Sequence, residues 1–187
     1  MPLTAIAGLV AAVLLVLVIS LYNRLVRARN GVENAFASID VQLKQRCDLI
    51  PKVVDAVRGH MAYEQSTLER LTALRQQAST PGVAAGERLA LDAQMAGLLH
   101  GIVARAEAYP DLKSSEAVLM LQRSLNEVES QIAAARRTYN AAVTAYNTRI
   151  ETIPTNVIAG VLGFTTRPLF EATADERAVP STGALRS

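Results

Sequence analysis

The sequence predicts an all-α protein, with a single N-terminal transmembrane helix followed by a long antiparallel helical bundle. Three main helices and a short C-terminal helix make up that bundle. Three observations predict it. The first is Leu3–Tyr22, LTAIAGLVAAVLLVLVISLY, twenty residues without a charge. The second is a succession of apolar residues in three- and four-residue steps from Val32 to Ile150, the period of an α-helix. The third is composition, 50% hydrophobic but only 4% aromatic and without Trp. Apolar content carried by Ala, Val and Leu suits closely packed helices better than a sheet sandwich or a wide ligand pocket. No alternating strand pattern competes with these periods.

The anchor comes first. A helix rises ~1.5 Å per residue, so Leu3–Tyr22 is roughly 30 Å long and matches the hydrocarbon core of a bilayer. Only Met1 and Pro2 precede it, and no small-x-small site follows it before Arg24, so the expectation is a retained span and not a cleaved leader. Arg24, Arg27 and Arg29 mark the membrane interface. The positive-inside rule then places the N-terminus outside and the body in the cytoplasm, a single-pass arrangement in a bacterial inner membrane. Thr4, Gly8 and Ala12 repeat every four residues and form a small-residue face. Such a face lets spans associate, although small residues are common in spans anyway.

Beyond residues 1–22, the bundle is expected over 23–164. Its first helix carries Val32, Phe36, Ile39 and Leu43, then Cys47, Ile50, Val54, Val57 and Met61 after one extra four-residue step. That is a coiled-coil type of seam with a local unwinding insertion. Pro51 lies inside it and predicts a kink near Cys47 and Asp48, because proline removes one backbone hydrogen bond. Leu68, Leu71, Leu74 and Ala78 extend the seam to Ser79, where Ser-Thr-Pro-Gly breaks it. The second helix shows Leu91, Met95, Leu98, Ile102 and Ala106 and stops at Tyr109-Pro110. Ser114 is placed to cap the third, which runs from Val118 through Tyr139 and Tyr146 to Ile150. Thr155–Phe164, TNVIAGVLGF, forms a short apolar segment, and a loose tail is expected over 165–187.

Candidate chemistry is sparse. His60 and Glu64 share a helix face at four-residue spacing, but an exposed helix-stabilising pair is the commoner outcome than a metal site. Neither histidine follows a Glu by three residues, so a carboxylate-bridged dimetal bundle is not expected. Cys47 lies on the apolar seam, where a thiol is usually inert. Arg46 and Asp48 flank the kink, and either is placed to pair across the bundle or to cap backbone groups freed by Pro51. Tyr139 and Tyr146, seven residues apart, return to one seam and are placed to meet Val32, Phe36 and Ile39. Gly97 and Gly101 suggest a close helix approach, within one subunit or between two. In Thr155–Phe164, Val157, Ile158, Val161, Leu162 and Phe164 are candidates, with Gly8, for self-association or membrane contact; the equal alternative is that the segment caps the open end of the bundle. Phosphate loops, nucleotide fingerprints and catalytic motifs are absent from the sequence. Neither a catalytic residue, a cofactor nor a metal is expected, and a net charge of +2 does not suggest nucleic acid.

Four ordered blocks resemble the LemA family: RNGVENAFASIDVQLKQRCDLIPKVVDAV at 29–57, EAYPDLK at 107–113, AARRTYNAAVTAYNTRI at 134–150 and IPTNVIAGVLGF at 153–164. Phe36 and Ile153 stand where that family carries a larger aromatic, and Cys47 where it carries a small residue. The resemblance implies a non-enzymatic bacterial membrane protein, found near zinc membrane proteases or small membrane proteins. It also implies kinship with a protein that shapes magnetosome membranes. The expected function is a membrane-anchored scaffold that self-associates as a homo-oligomer and organises or remodels the bilayer. The alternative is an adaptor for a membrane metalloprotease or another membrane partner. An enzyme would require converging polar groups that the sequence does not reveal.

Overall fold

The structure is a computed structural model that describes residues 2–59, 64–106 and 108–170. It is all-α. Among the described residues six helical elements follow one another: α1 (Pro2–Val57), α2 (Gln65–Ala78), α3 (Ala85–Ala106), α4 (Pro110–Lys113), α5 (Glu116–Glu151) and α6 (Thr155–Val161). There is no strand among the described residues. The chain divides into two compact units, one of residues 37–135 and the other of the residues up to Phe36 together with those from Arg136 on. Both α1 and α5 contribute to each unit.

In α1 the helix is uninterrupted from the apolar run into the bundle. Its first part buries nothing: Ile6, Leu9, Val13, Val16 and Ile19 are all exposed. Exposing so continuous an apolar surface to water is unfavourable, and this helix is long and apolar enough to cross a bilayer. The buried register begins at Leu25 and continues through Val32, Ile39, Leu43, Cys47, Ile50, Val54 and Val57, as the three-four stepping predicts. The helix does not continue to Ser79. It ends at Val57, two residues before Gly59, and Met61 and His60 lie outside the described residues. Glycine costs about 1 kcal/mol in a helix interior, which favours the break there.

The unit of residues 37–135 has an aliphatic core. Leu68, Leu71, Leu74 and Ala78 of α2 meet Leu91, Met95, Leu99, Ile102 and Ala106 of α3, with Ile50, Val53, Val54 and Val57 of α1 beside them. Leu99 is the fully buried residue of its turn, and Leu98, expected in that place, only packs against the core's edge. The Tyr109-Pro110 stop is observed: Tyr109 is extended, Pro110 starts α4, and α4 delivers Leu112 into the core at 1% exposure. Ser114 closes α4 instead of capping the long third helix, which starts two residues later at Glu116. Gly97 and Gly101 are exposed, and a Cβ on either would meet nothing within 4 Å. No close helix approach within this chain requires them.

In the other unit, Leu25, Val32 and Ala35 of α1 are buried with Tyr139, Val143 and Tyr146 of α5 and Ala159 of α6. Phe36 and Tyr139 do meet, edge to face at 5.8 Å between ring centres. Residues 165–170 are not loose. Asn140 accepts from the Phe170 amide (2.8 Å) and donates to the Phe170 carbonyl (2.9 Å), and Asn147 does the same with Arg167 (2.9 Å both ways). Phe170 packs on both Phe36 and Tyr139. The rest of the expected tail lies outside the described residues.

Candidate functional site

The residues proposed for membrane contact come together in one unit. Gly163 adopts a positive φ of 71°, the left-handed conformation that glycine tolerates, and turns the chain at the end of α6. The turn brings Phe164 against Tyr22, edge to face at 6.1 Å, and under the guanidinium of Arg29 at 5.6 Å. Phe164 is thereby clamped at the boundary where the uncharged run gives way to arginines. Ala159 is fully buried and seats α6. The opposite side of α6 is bare: Val157 is 65% exposed, Val161 82% and Leu162 49%, with Ile153 just before them at 79%. Ile158 and Phe164 are half-buried. The five apolar residues proposed from sequence therefore divide into three that face outward and two that hold the segment in place.

The juxtamembrane arginines also divide. Arg27 donates from Nε to the Asn23 carbonyl at 3.2 Å, and Arg29 lies over Phe164. Arg24 is exposed and lines a cleft of about 150 Å3 with Leu21, Leu25, Arg149, Thr152 and Thr155. Gly8 is exposed on the apolar run and touches nothing through a built Cβ.

Of the two roles open to the residues around Pro51, pairing across the bundle is found at Arg46, and capping of the freed backbone falls to another residue. Proline at position 51 cannot donate to the carbonyl four residues earlier, which belongs to Cys47. That carbonyl accepts instead from Nε of Arg75 on α2, at 3.0 Å. Neither Arg46 nor Asp48 performs the task. Arg46 is buried, with 6% of its side chain exposed, and pairs at 2.9 Å with Asp92 of α3, itself 2% exposed. Its other terminal nitrogen lies 3.9 Å from Glu129 of α5, which bonds His100 of α3 at 3.0 Å. Asp48 is exposed. Asp92 occupies a buried position on a helix face that reads as apolar, and nothing local in the sequence distinguishes it from a solvated acid.

This network does supply converging polar groups that the sequence conceals. Arg46, His100 and Glu129, with Gln122 and Asn126, line a cleft of about 180 Å3. The charges there are already engaged with one another, as a buried ion pair requires to offset its desolvation. Cys47, nearby, has its thiol pushed up by burial and further by the charge of Asp92, against the opposing influence of Arg75. A neutral buried thiol is a poor nucleophile. Glu64, weighed as a metal ligand with His60, bonds Thr67 and pairs with Arg105, while His60 lies outside the described residues. Among the described residues no three His, Cys, Asp or Glu side chains converge to hold a metal ion.

Known proteins are similar to this sequence over most of its length. The family model of the LemA family matches residues 35–183. Protein LemA of Metamycoplasma hominis is 30% identical over 165 residues, covering 88% of this chain and 75% of that protein. Magnetosome protein MamQ 2 of Paramagnetospirillum magneticum is 25% identical over 179 residues, covering 80% of this chain and 64% of the relative. Magnetosome protein MamQ of Magnetospirillum gryphiswaldense is 23% identical over 168 residues, covering 76% and 62%. This chain spans less than two-thirds of the length of those two magnetosome relatives.

Proposed function

This chain belongs to the LemA family, and on that premise we propose that it is a non-enzymatic, membrane-anchored helical scaffold that self-associates and organises or remodels a bacterial membrane. The observation that carries this reading is the pairing of two bare apolar surfaces in one unit. One is the run through Ile19, and the other is Val157, Val161 and Leu162 on α6, fastened to the foot of that run by Phe164. An apolar helix immersed in lipid, with a second apolar face at its exit, suits contact with the bilayer surface or with another copy. The likeness to magnetosome proteins supports a role at a membrane. Arg24, Arg27 and Arg29 at the body end of the run favour an inner-membrane orientation with the body in the cytoplasm.

The test is the mass of the full-length protein extracted in native lipid discs, beside the same chain lacking residues 1–22. A defined homo-oligomer that weakens when Val157 and Val161 are both changed to Ser supports the scaffold. A monomer accompanied by a second protein at fixed ratio would sink self-assembly and favour an adaptor for a membrane protease.

A further inference from the structure

We propose that the cleft between α1 and the α5–α6 turn holds the phosphate of an anionic phospholipid headgroup. The inference rests on the reading of the apolar run as a membrane span. Leu21, Arg24 and Leu25 form one wall at the point where the uncharged run ends, and Arg149, Thr152 and Thr155 form the other. Its volume of about 150 Å3 leaves room for a phosphate group.

The polar groups there suit that ligand. Arg24 and Arg149 have no hydrogen-bond or ion-pair partner among the described residues, unlike Arg27 and Arg29, which are engaged within the chain. Two guanidinium groups present planar donor forks to phosphate oxygens. Thr152 spends its hydroxyl hydrogen on the Thr148 carbonyl at 2.6 Å, so Thr155 is the hydroxyl left to donate. No carboxylate lines the cleft, so a net anionic headgroup is favoured over one that carries its own cation.

Depth favours a lipid over a free phosphate. Leu21 still belongs to the uncharged run, and Leu25 behind it is fully buried, so the cleft opens at the level of the headgroups. The bare residues of α6, Val157, Val161 and Leu162, continue an apolar surface from the same turn, on which the ligand's acyl chains can lie.

The test uses the full chain in bilayer discs of equimolar phosphatidylglycerol and phosphatidylcholine, with native mass spectrometry of the lipids each protein retains. The wild type is expected to retain phosphatidylglycerol preferentially. R24Q/R149Q should lower that preference about thirtyfold, which corresponds to about 2 kcal/mol for two cations at a bilayer surface. R27Q, which removes one surface cation outside the cleft, should lower it by no more than about fivefold. An equal preference in wild type and R24Q/R149Q, with helicity by circular dichroism matched, overturns the site. Displacement of phosphatidylglycerol from the detergent-solubilised protein by millimolar inorganic phosphate assigns the cleft to free phosphate and overturns the lipid. Flotation with vesicles separates this from the parent reading. A wild type that floats without lipid preference removes only the headgroup site, whereas one that fails to float removes the span as well.

Discussion

The two compact units are held by different physics. Residues 37–135 form an aliphatic core of Leu, Ile, Val, Met and Ala from successive helices, with one buried ion pair, Arg46–Asp92, set inside it. Among the described residues the other unit has fewer buried aliphatics and relies on rings and amides. Phe36, Tyr139 and Phe170 pack together, and Asn140 and Asn147 hold an extended strip of main chain. The first solution is non-directional and needs only apolar side chains at helical spacing. The second needs particular groups at particular distances. In the second unit those groups fasten a short apolar segment beside the end of the uncharged run.

The largest effect that would break this comparison is expected from Asp92→Ala. It leaves Arg46 a buried cation whose remaining carboxylate is 3.9 Å away, and removing one partner of a buried pair costs about 3–5 kcal/mol. Urea unfolding of the full chain in detergent, followed by helicity, measures it. The paired change R46M/D92L should recover most of the loss, because apolar residues of similar volume suit that core. No recovery would mean that the polar network does more than fill space.

Next comes Asn140→Ala, which withdraws two hydrogen bonds from the Phe170 backbone and frees the ring against Phe36. A loss of about 1–3 kcal/mol is expected, with hydrogen exchange accelerated at 165–170 and unchanged in α2 and α3. Uniform acceleration across both units would erase the distinction between them.

A smaller effect sharpens it. Arg75→Met leaves the Cys47 carbonyl without its donor and should cost about 1 kcal/mol in wild type. In a Pro51→Ala background the residue-51 amide can satisfy that carbonyl itself, so the same change should cost far less. A double-mutant cycle with equal costs in both backgrounds removes the proline from the account.

The smallest is a dependence on pH. Burial raises the Cys47 thiol, so its folded value lies above its unfolded one. Below the unfolded value the thiol is neutral in both states and contributes no slope. As pH rises past it, only the unfolded chain ionises and stability falls. Urea midpoints on the alkaline side should decline less in Cys47→Ala than in wild type, and alkylation by iodoacetamide at pH 8 should be slower than for free cysteine.

Much of the aliphatic unit was legible because burial of a helix repeats with the helix. Leu68, Leu71, Leu74 and Ala78 could be read from spacing alone, as could the stop at Tyr109-Pro110. The break after Val57 was not, since Gly59 reads equally as a soft point within a longer helix. Arg75 as the partner of the Pro51 notch was also hidden. Proline announces a bare carbonyl, but its donor came from 28 residues away, across a turn whose geometry the spacing does not state. The membrane-contact candidates on α6 were visible as an apolar string, but which of them face outward depended on the burial of Ala159 and the anchoring of Phe164.

The sequence by itself determined the helical class, the uncharged run long enough for a bilayer, the family, and the apolar seams. All of these are properties of composition and period, which are local and repeat many times. Only the tertiary structure decided that Arg46 pairs with Asp92, that Asn140 and Asn147 clasp residues 165–170, and that Arg24 and Arg149 line one cleft with two threonines. Each of these joins single residues far apart in the chain. Hydrogen bonds and ion pairs act over about 3 Å, so they exist only once the seams have brought their partners within reach.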